Sequence, residues 1–516
     1  MSFTEKLKSY LLEDMPKYLG ETLEMVFVTS LIALIFGLLL GFVLYFTKNS
    51  KNKYSRWTYK ILNVFVSIVR SFPFYVLMFF VIPFTRIIMK IFTGVGQAFS
   101  TEAFIVPLTL AAIPFFAKLI ENSLDETKKE VIEAGVSLGL NTWQITTKII
   151  LKESLPSIIS GVTLAIITLI GYSAMAGAVG GGGLGFFAYD KGYVAYDATL
   201  MIFAVITIII LVLIIQQCGN LLYKMAKVGK LSYAKILAGT LVLVSVFGVT
   251  KATIAFSGSN LPKIVVGTMS QPGEPILENL KESLKEKGYQ LEIKLFNEFE
   301  AVNNALVDKS VDANLFQHEP YLDNYNKANN TDLVKAITMY DCVYGAYTKK
   351  DIKSIEDLKN TKDTIYISVA NDSSNLKRCI ELLEANGIIK TTELFKTSQS
   401  LSATDIEKYY KPYPSFNVKL NAMSSAAIAK SLENENTYLG IISATYAINA
   451  KLTSNELLFE EKDLEHKNAN IVAVRKDDLN EEWLKVLADE LTSDNTKTFI
   501  EDYFKGTIKP YFIKHF

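Results

Sequence analysis

The run Asp312-Ala313-Asn314-Leu315-Phe316-Gln317-His318-Glu319-Pro320-Tyr321-Leu322-Asp323 places an imidazole between two aromatic rings. Further on, Asn371-Asp372-Ser373-Ser374-Asn375-Leu376-Lys377-Arg378 places two amides and a guanidinium close together. A guanidinium grips a carboxylate with two parallel N–H groups, short polar side chains complete the pairing, and aromatic rings wall an apolar slot. On residue type alone, plainer readings are favoured over a binding role: a solvated surface arginine and a packing histidine. No residue is assigned to catalysis. Cys218, Cys342 and Cys379 are too widely spaced for a paired metal signature, so no metal ligand is assigned either, and a disulfide within the second half is possible but unsupported.

A second cluster is Val131-Ile132-Glu133-Ala134-Gly135-Val136-Ser137-Leu138-Gly139-Leu140-Asn141-Thr142-Trp143-Gln144. Ala134 and Gly135 allow close helix approach, Gly139 can end a helix, and Glu133 supplies a charge for a basic residue of a partner. The bland alternative is an amphipathic loop helix. A third cluster is the run Gly180-Gly181-Gly182-Gly183 after Met175, where bare backbone can line or gate a path that side chains would block. Its plain alternative is a flexible turn. Arg70 sits inside an apolar stretch, which makes it a pathway or packing residue.

The elements that must carry these residues fall into two halves. The chain is 50% hydrophobic, with 53 basic and 53 acidic side chains, and that balance gives no reason to expect a nucleic-acid partner. Residues 1–256 are rich in Leu, Ile, Val and Phe, whereas 257–516 read as an ordinary soluble domain. Stretches long enough for a hydrocarbon core of roughly 30 Å run over 25–46, 61–84, 104–120, 158–179 and 200–222. A sixth, 236–250, is short, but Lys235 and Lys251 can snorkel at its ends. Lysines and Arg56 crowd the segments after the first span, between the third and fourth, and after the fifth, which predicts that these three are cytoplasmic. Lys6, Lys8, Lys17, Arg86 and Lys90 run against this minority-wise. Everything after Phe256 is then extracytoplasmic. The sixth segment also reads as an internal signal peptide followed by Ser257-Gly258-Ser259, and retention as a tether is the preferred reading. From Lys263 onward, strand-like and helical segments alternate (263–267, 274–287, 291–296, 300–307), the pattern of an α/β domain.

The 131–144 segment resembles the EAA loop of ABC-importer permeases, with Glu133, Ala134, Gly135 and Gly139 matching and Lys152 standing where that pattern has proline. Together with Arg70-Ser71-Phe72-Pro73-Phe74, Ile82-Pro83-Phe84-Thr85-Arg86 and Gly171–Gly185, it resembles the permease of the D/L-methionine ABC transporter over residues 15–225. The second half, through Phe296-Asn297-Glu298-Phe299 and the two runs above, resembles the methionine-binding proteins of the NlpA lipoprotein family.

The resemblance implies an all-α polytopic membrane domain of the ABC-importer type I permease (1–230), a tether (231–260) and a two-lobed periplasmic-binding-protein-like α/β domain (261–516). Lobe 1 covers about 261–347 plus a C-terminal return, and lobe 2 about 365–465. It implies a multi-pass protein of the bacterial cytoplasmic membrane, in contact with lipid, working as a permease homodimer on a cytoplasmic ABC ATPase dimer. No cofactor belongs to this chain, since it has no GxxxxGK[ST] loop and ATP would sit on the partner. Arg378 would take the ligand carboxylate, with His318, Phe316, Tyr321, Phe299, Asn375, Asn371 and Ser443 around it. Ser443 stands where the family has a ligand-bonding Asn, and Tyr340-Asp341-Cys342-Val343 replaces a Phe-x-Tyr-Pro stretch. These departures keep another small amino acid or a methionine-containing dipeptide open as ligand. Asp341 could reach the ammonium, although a turn or surface acid is the plainer reading. From other classes, a ligand-gated channel and a released receptor domain also stand as alternatives.

Overall fold

A computed structural model describes residues 3–93, 98–195, 197–229, 261–361, 363–398, 400–462 and 465–516. The expected sixth span and the tether lie outside the described residues. The chain divides into two compact units, one helical and one α/β, the second made of Leu261–Phe516 with the short segment Asp190–Asp197.

In the helical unit, Met15–Lys48, Thr101–Asp125, Thr142–Gly181 and Ala198–Lys227 are long and apolar enough to cross a bilayer. Apolar side chains all round a helix leave no solvent face, which suits burial in lipid. The expected second span, 61–84, is not one helix. Lys53–Ser71 and Phe74–Phe80 meet at a bend of 102°. Pro73 accounts for the break, since its ring removes an amide donor and disfavours helical backbone at Phe72, which is extended at φ −67°, ψ 127°. Among the described residues the unit therefore holds four candidate spans, or five if the bent pair is counted as one.

Bare glycine faces allow two of these helices to pack closely. A Cβ on Gly37 would lie 2.6 Å from Phe116 Cβ, and one on Gly41 would lie 2.9 Å from both Ala117 O and Ile120, so the Met15–Lys48 and Thr101–Asp125 helices meet at backbone distance. This is the small-xxx-small contact of membrane helices, where dispersion and close approach stand in for a hydrophobic drive. One turn further, fully buried Glu121 joins three helices: it pairs with Lys118 at 2.7 Å and with Lys48 at 3.7 Å and accepts from Tyr59 Oη at 3.0 Å, while Lys118 reaches Asn63 Oδ1 at 2.9 Å. Charge inside a helical bundle is tolerated when neutralised and hydrogen-bonded in this way.

The α/β unit has two principal sheets. Its strands are β1 (Lys263–Thr268), β2 (Gln290–Leu295), β3 (Ala313–His318), β4 (Val334–Asp341), β5 (Tyr344–Tyr347), β6 (Ile365–Ala370), β7 (Ile389–Thr391), β8 (Tyr410–Pro412), β9 (Val418–Met423), β10 (Thr437–Ser443), β11 (Leu457–Glu460), β12 (Asn470–Val474) and β13 (Lys509–Lys514). The first sheet runs β13-β4-β12-β3-β1-β2 and the second β11-β5-β10-β6-β9, with β7 and β8 forming a short ribbon. Parallel pairing of β1 with β2 and β3, and of β6 with β9 and β10, requires helical crossovers that cover the sheet faces. The first core gathers Ile264, Val266, Leu315, Ile337, Val472 and Val474 under Leu484, Leu487 and Leu491.

Two expectations need correction here. Tyr344–Tyr347 pairs with β10 and β11, so the first sheet's contribution ends at Asp341 rather than near 347. The chain changes sheet at Cys342-Val343 and again between β11 and β12. The helix expected over 274–287 is two, Gly273–Glu278 and Lys281–Glu286.

Candidate functional site

A cleft in the α/β unit is lined by residues of both sheets, among them Phe299, Phe316, His318, Asn375, Arg378 and Ser443. Each is placed by local chemistry. β3 is pinned to the Phe299–Val307 helix by a closed amide network: Asn303 and Gln317 exchange hydrogen bonds at 2.8 and 2.7 Å, and Asn314 donates to Asn303 at 2.9 Å. Buried amides that satisfy one another fix a single register, which sets Phe299, Phe316 and Tyr321 with ring centroids 5.8 to 6.0 Å apart. His318 ends β3 and caps the Glu319–Asn329 helix, its Nδ1 accepting from Tyr321 N at 3.2 Å. A ring nitrogen that accepts carries no proton, so Nε2 bears it and donates to Asn375 Oδ1 at 3.1 Å.

Asn375 and Arg378 stand three residues apart on one face of the Ser373–Ala385 helix, which Asp372 caps by accepting from Asn375 N at 3.0 Å. Asp372 also accepts from Asn375 Nδ2 at 3.1 Å, so the amide is oriented from behind. Arg378, 6% exposed, is held on three sides. Its Nε and Nη2 donate to the two carboxylate oxygens of Glu461 at 3.1 and 2.5 Å, and Nη2 donates to Cys342 O at 3.1 Å. The guanidinium lies 4.5 Å over the Tyr344 ring. Burial opposes its charge, but the hydrogen bonds and charge of Glu461 outweigh burial and raise its pKa. Burial also pushes the Cys342 thiol upward and the Cys379 thiol up to about 12. Both are buried free thiols rather than a disulfide.

The cleft gathers residues that no local spacing announced: Tyr344, Tyr446 and Asn470, with Glu461 behind Arg378. Asn470 donates to Phe316 O and to Tyr340 Oη, both at 3.2 Å. Ser443 ends β10 at the start of the Ala444–Asn449 helix and is buried. Tyr321 belongs to the aromatic cluster but does not line the cleft, and Asn371 is exposed at the turn before the helix. Asp341 pairs with His466 Nδ1 at 2.7 Å, outside the cleft.

In the helical unit the Lys129–Ser137 helix carries the 133–139 cluster. Gly135 is buried, and a Cβ there would lie 2.5 Å from Ile149 Cδ1. Gly139 has φ +77° and closes the helix, with Leu140 N bonded to Gly135 O at 3.1 Å and Gly139 N to Val136 O at 2.9 Å. That double bond pattern is a Schellman cap, which calls for a left-handed residue. Glu133 and Ala134 are exposed, beside Val136, Leu138 and Trp143 at 59%, 80% and 75%.

The glycine run is an unwound link. Gly180, Gly182 and Gly183 have φ of +98°, +72° and +79°. Gly183 N donates to Glu21 Oε2 at 2.6 Å, Leu184 N to Thr22 Oγ1 at 2.9 Å, and Thr101 Oγ1 to Gly181 O at 3.2 Å, so the unpaired backbone is met by side chains. Met175 is about half exposed. Arg70, in the last turn before the bend, is also exposed and lies 5.7 Å over the Phe115 ring.

Residues 27–226 match the family of binding-protein-dependent transport system inner membrane components, and residues 264–512 match the NlpA lipoprotein family. A protein of Pasteurella multocida (strain Pm70), named as a probable D-methionine transport system permease, is 43% identical over 206 residues, covering 39% of this chain and 89% of that one. The D-methionine transport system permease of Escherichia coli (strain K12) is 41% identical over 157 residues, covering 30% and 70%. A nutrient-binding protein of Burkholderia cenocepacia, solved with methionine, is 30% identical with a TM-score of 0.44, covering 48% of this chain and 99% of that one. The chain thus belongs to the binding-protein-dependent inner membrane transport components and carries an NlpA lipoprotein domain in the same polypeptide.

Proposed function

We propose that this chain is the permease and the solute-binding subunit of an ABC importer for methionine, powered by ATP hydrolysis on a separate ATPase. The observation that carries this reading is the cleft, where Arg378, His318 and Asn375 stand beside Phe299 and Phe316. A dry cleft that accepts an amino acid must offer a cation to its carboxylate, acceptors to its ammonium and an apolar slot to its side chain. A thioether packs well against ring edges, and Phe299 and Phe316 supply them. The relatives named above, two for D-methionine transport and one solved with methionine, support the choice of ligand.

In this reading the binding domain is extracytoplasmic and tethered, and two copies of the chain form the path in the membrane. The 133–139 helix docks on the ATPase: Glu133 and the exposed apolar side chains form the contact, and Gly135 lets the helix lie against its own bundle. Gly180 to Gly183, with Met175 and Arg70, are the path and gate residues. Tethering keeps the binding domain at roughly millimolar effective concentration, so a weak docking interface suffices. Vesicles containing only this chain and its ATPase are expected to take up methionine when ATP is supplied, with no added binding protein. Absence of that uptake counts against self-sufficiency, and ligand-evoked current without ATP would favour a channel.

A further inference from the structure

The cleft's single arginine is not an unencumbered cation. Both carboxylate oxygens of Glu461 lie on Arg378 Nε and Nη2, at 3.1 and 2.5 Å, and Glu461 is itself saturated by Tyr344 N at 3.1 Å and Asn468 Nδ2 at 3.2 Å. The Glu461 side chain is 15% exposed against 6% for Arg378, so the pair is shielded from bulk water. Cys342 O and the Tyr344 ring occupy two further sides of the guanidinium. Of the three guanidinium nitrogens, Nη1 makes no hydrogen bond among the described residues, and Arg378 lines the cleft.

We propose that Glu461 sets the charge selectivity of the cleft: it cancels the charge of Arg378 and leaves one amino group, Nη1, for the solute carboxylate, so the cleft takes amino acids as neutral zwitterions and rejects anions of the same shape. This rests on the reading of the cleft as an amino-acid site and adds a residue that never touches the solute. The physical reason is simple. A shielded cation without its counter-charge attracts any carboxylate, and the ammonium of an amino acid then becomes a liability. With the counter-charge in place the cleft is neutral overall, and a ligand with an extra negative charge enters against the field of Glu461. Glu461 follows directly on β11, where the chain leaves the second sheet, and Cys342 lies where the chain enters it, so the arginine is also fixed to both connections between the sheets.

The test uses the full chain in detergent and two ligands, methionine and its 2-hydroxy analogue, in which a hydroxyl replaces the ammonium. The two share a carboxylate and a thioether and differ by one unit of charge. The readout is the ratio of their dissociation constants by calorimetry. Wild type is expected to prefer methionine, and Glu461→Gln to lower the analogue-to-methionine ratio about tenfold or more. An unchanged ratio, with both affinities reduced alike, would mean that Glu461 only props the arginine, and overturns the proposal. Should Glu461→Gln alone fail to fold, the same charge is removed in the Arg378→Gln background, where no buried cation is stranded. The double variant must then show the same fall relative to Arg378→Gln, and equal ratios overturn the proposal. Wild-type chain that binds neither compound removes the amino-acid reading itself, an outcome distinct from normal methionine binding with an unshifted ratio.

Discussion

Arg378 shows how much of a binding residue's behaviour is set by groups behind it. Its planar fork is committed to Glu461 and Cys342 O, and its outer face to the cleft. Lysine offers a point charge with no fork and cannot make these contacts together. Arg378→Lys is therefore expected to keep the charge yet lower methionine affinity at least about tenfold, measured by calorimetry on the full chain; affinity within a factor of two of wild type would refute the role given to the guanidinium. At this scale the sequence was informative wherever chemistry is local. The His318 and Arg378 runs could be read because a strand end with its helix cap, and one helix face, keep their residues within a few positions. Glu461, Asn470 and Tyr344 could not, since they reach the cleft by a change of sheet, and nothing in their own neighbourhoods marks them. Asn371, from the same run as Arg378, stands exposed just before the helix that carries it.

Among the elements, the Lys129–Ser137 helix and its C-terminal cap carry two glycines whose geometry constrains substitution. Gly135 faces Ile149, whose Cδ1 would have to move to admit a Cβ, and Gly139 holds a left-handed cap. Gly135→Val is expected to push the helix off Ile149 and abolish ATP-driven uptake, with methionine affinity unchanged. Uptake and calorimetry on the same preparation check both parts, and full uptake would remove this helix from the coupling role. Gly139→Ala is milder, costing about 1 kcal/mol for left-handed backbone on a residue with a Cβ. Sequence pattern anticipated this helix and its end because both depend on residue size and backbone freedom. It missed the break at Phe72-Pro73, where apolar character runs on through residues that cannot continue a helix. Hydropathy measures affinity for lipid, not backbone continuity.

For the molecule as a whole, the proposed function depends on the 126–141 loop and the solute-binding domain lying on opposite sides of one bilayer. Protease added to intact spheroplasts is expected to digest residues 261–516 and spare the 126–141 loop, as immunoblots with one antibody to each region would record. Equal digestion, or equal protection, of both regions would end it. The division into a helical and an α/β unit was legible from the shift in composition, because lipid and water select different side chains. The point at which one sheet gives way to the other was not, since Asp341 and Tyr344 belong to neighbouring strands of similar character.

The position of β12 adds a matter of timing. It lies in the middle of the first sheet, between β4 and β3, although more than a hundred residues of the second sheet separate it from both along the chain. During synthesis, β3 and β4 thus wait as open edges until that late strand arrives, and such edges invite pairing with other chains. A polypeptide interrupted before residue 470 would carry a finished anchor and an unfinished grip, so secretion quality control has a clear species to recognise: embedded, exposed along unpaired strands, and unable to hold its nutrient.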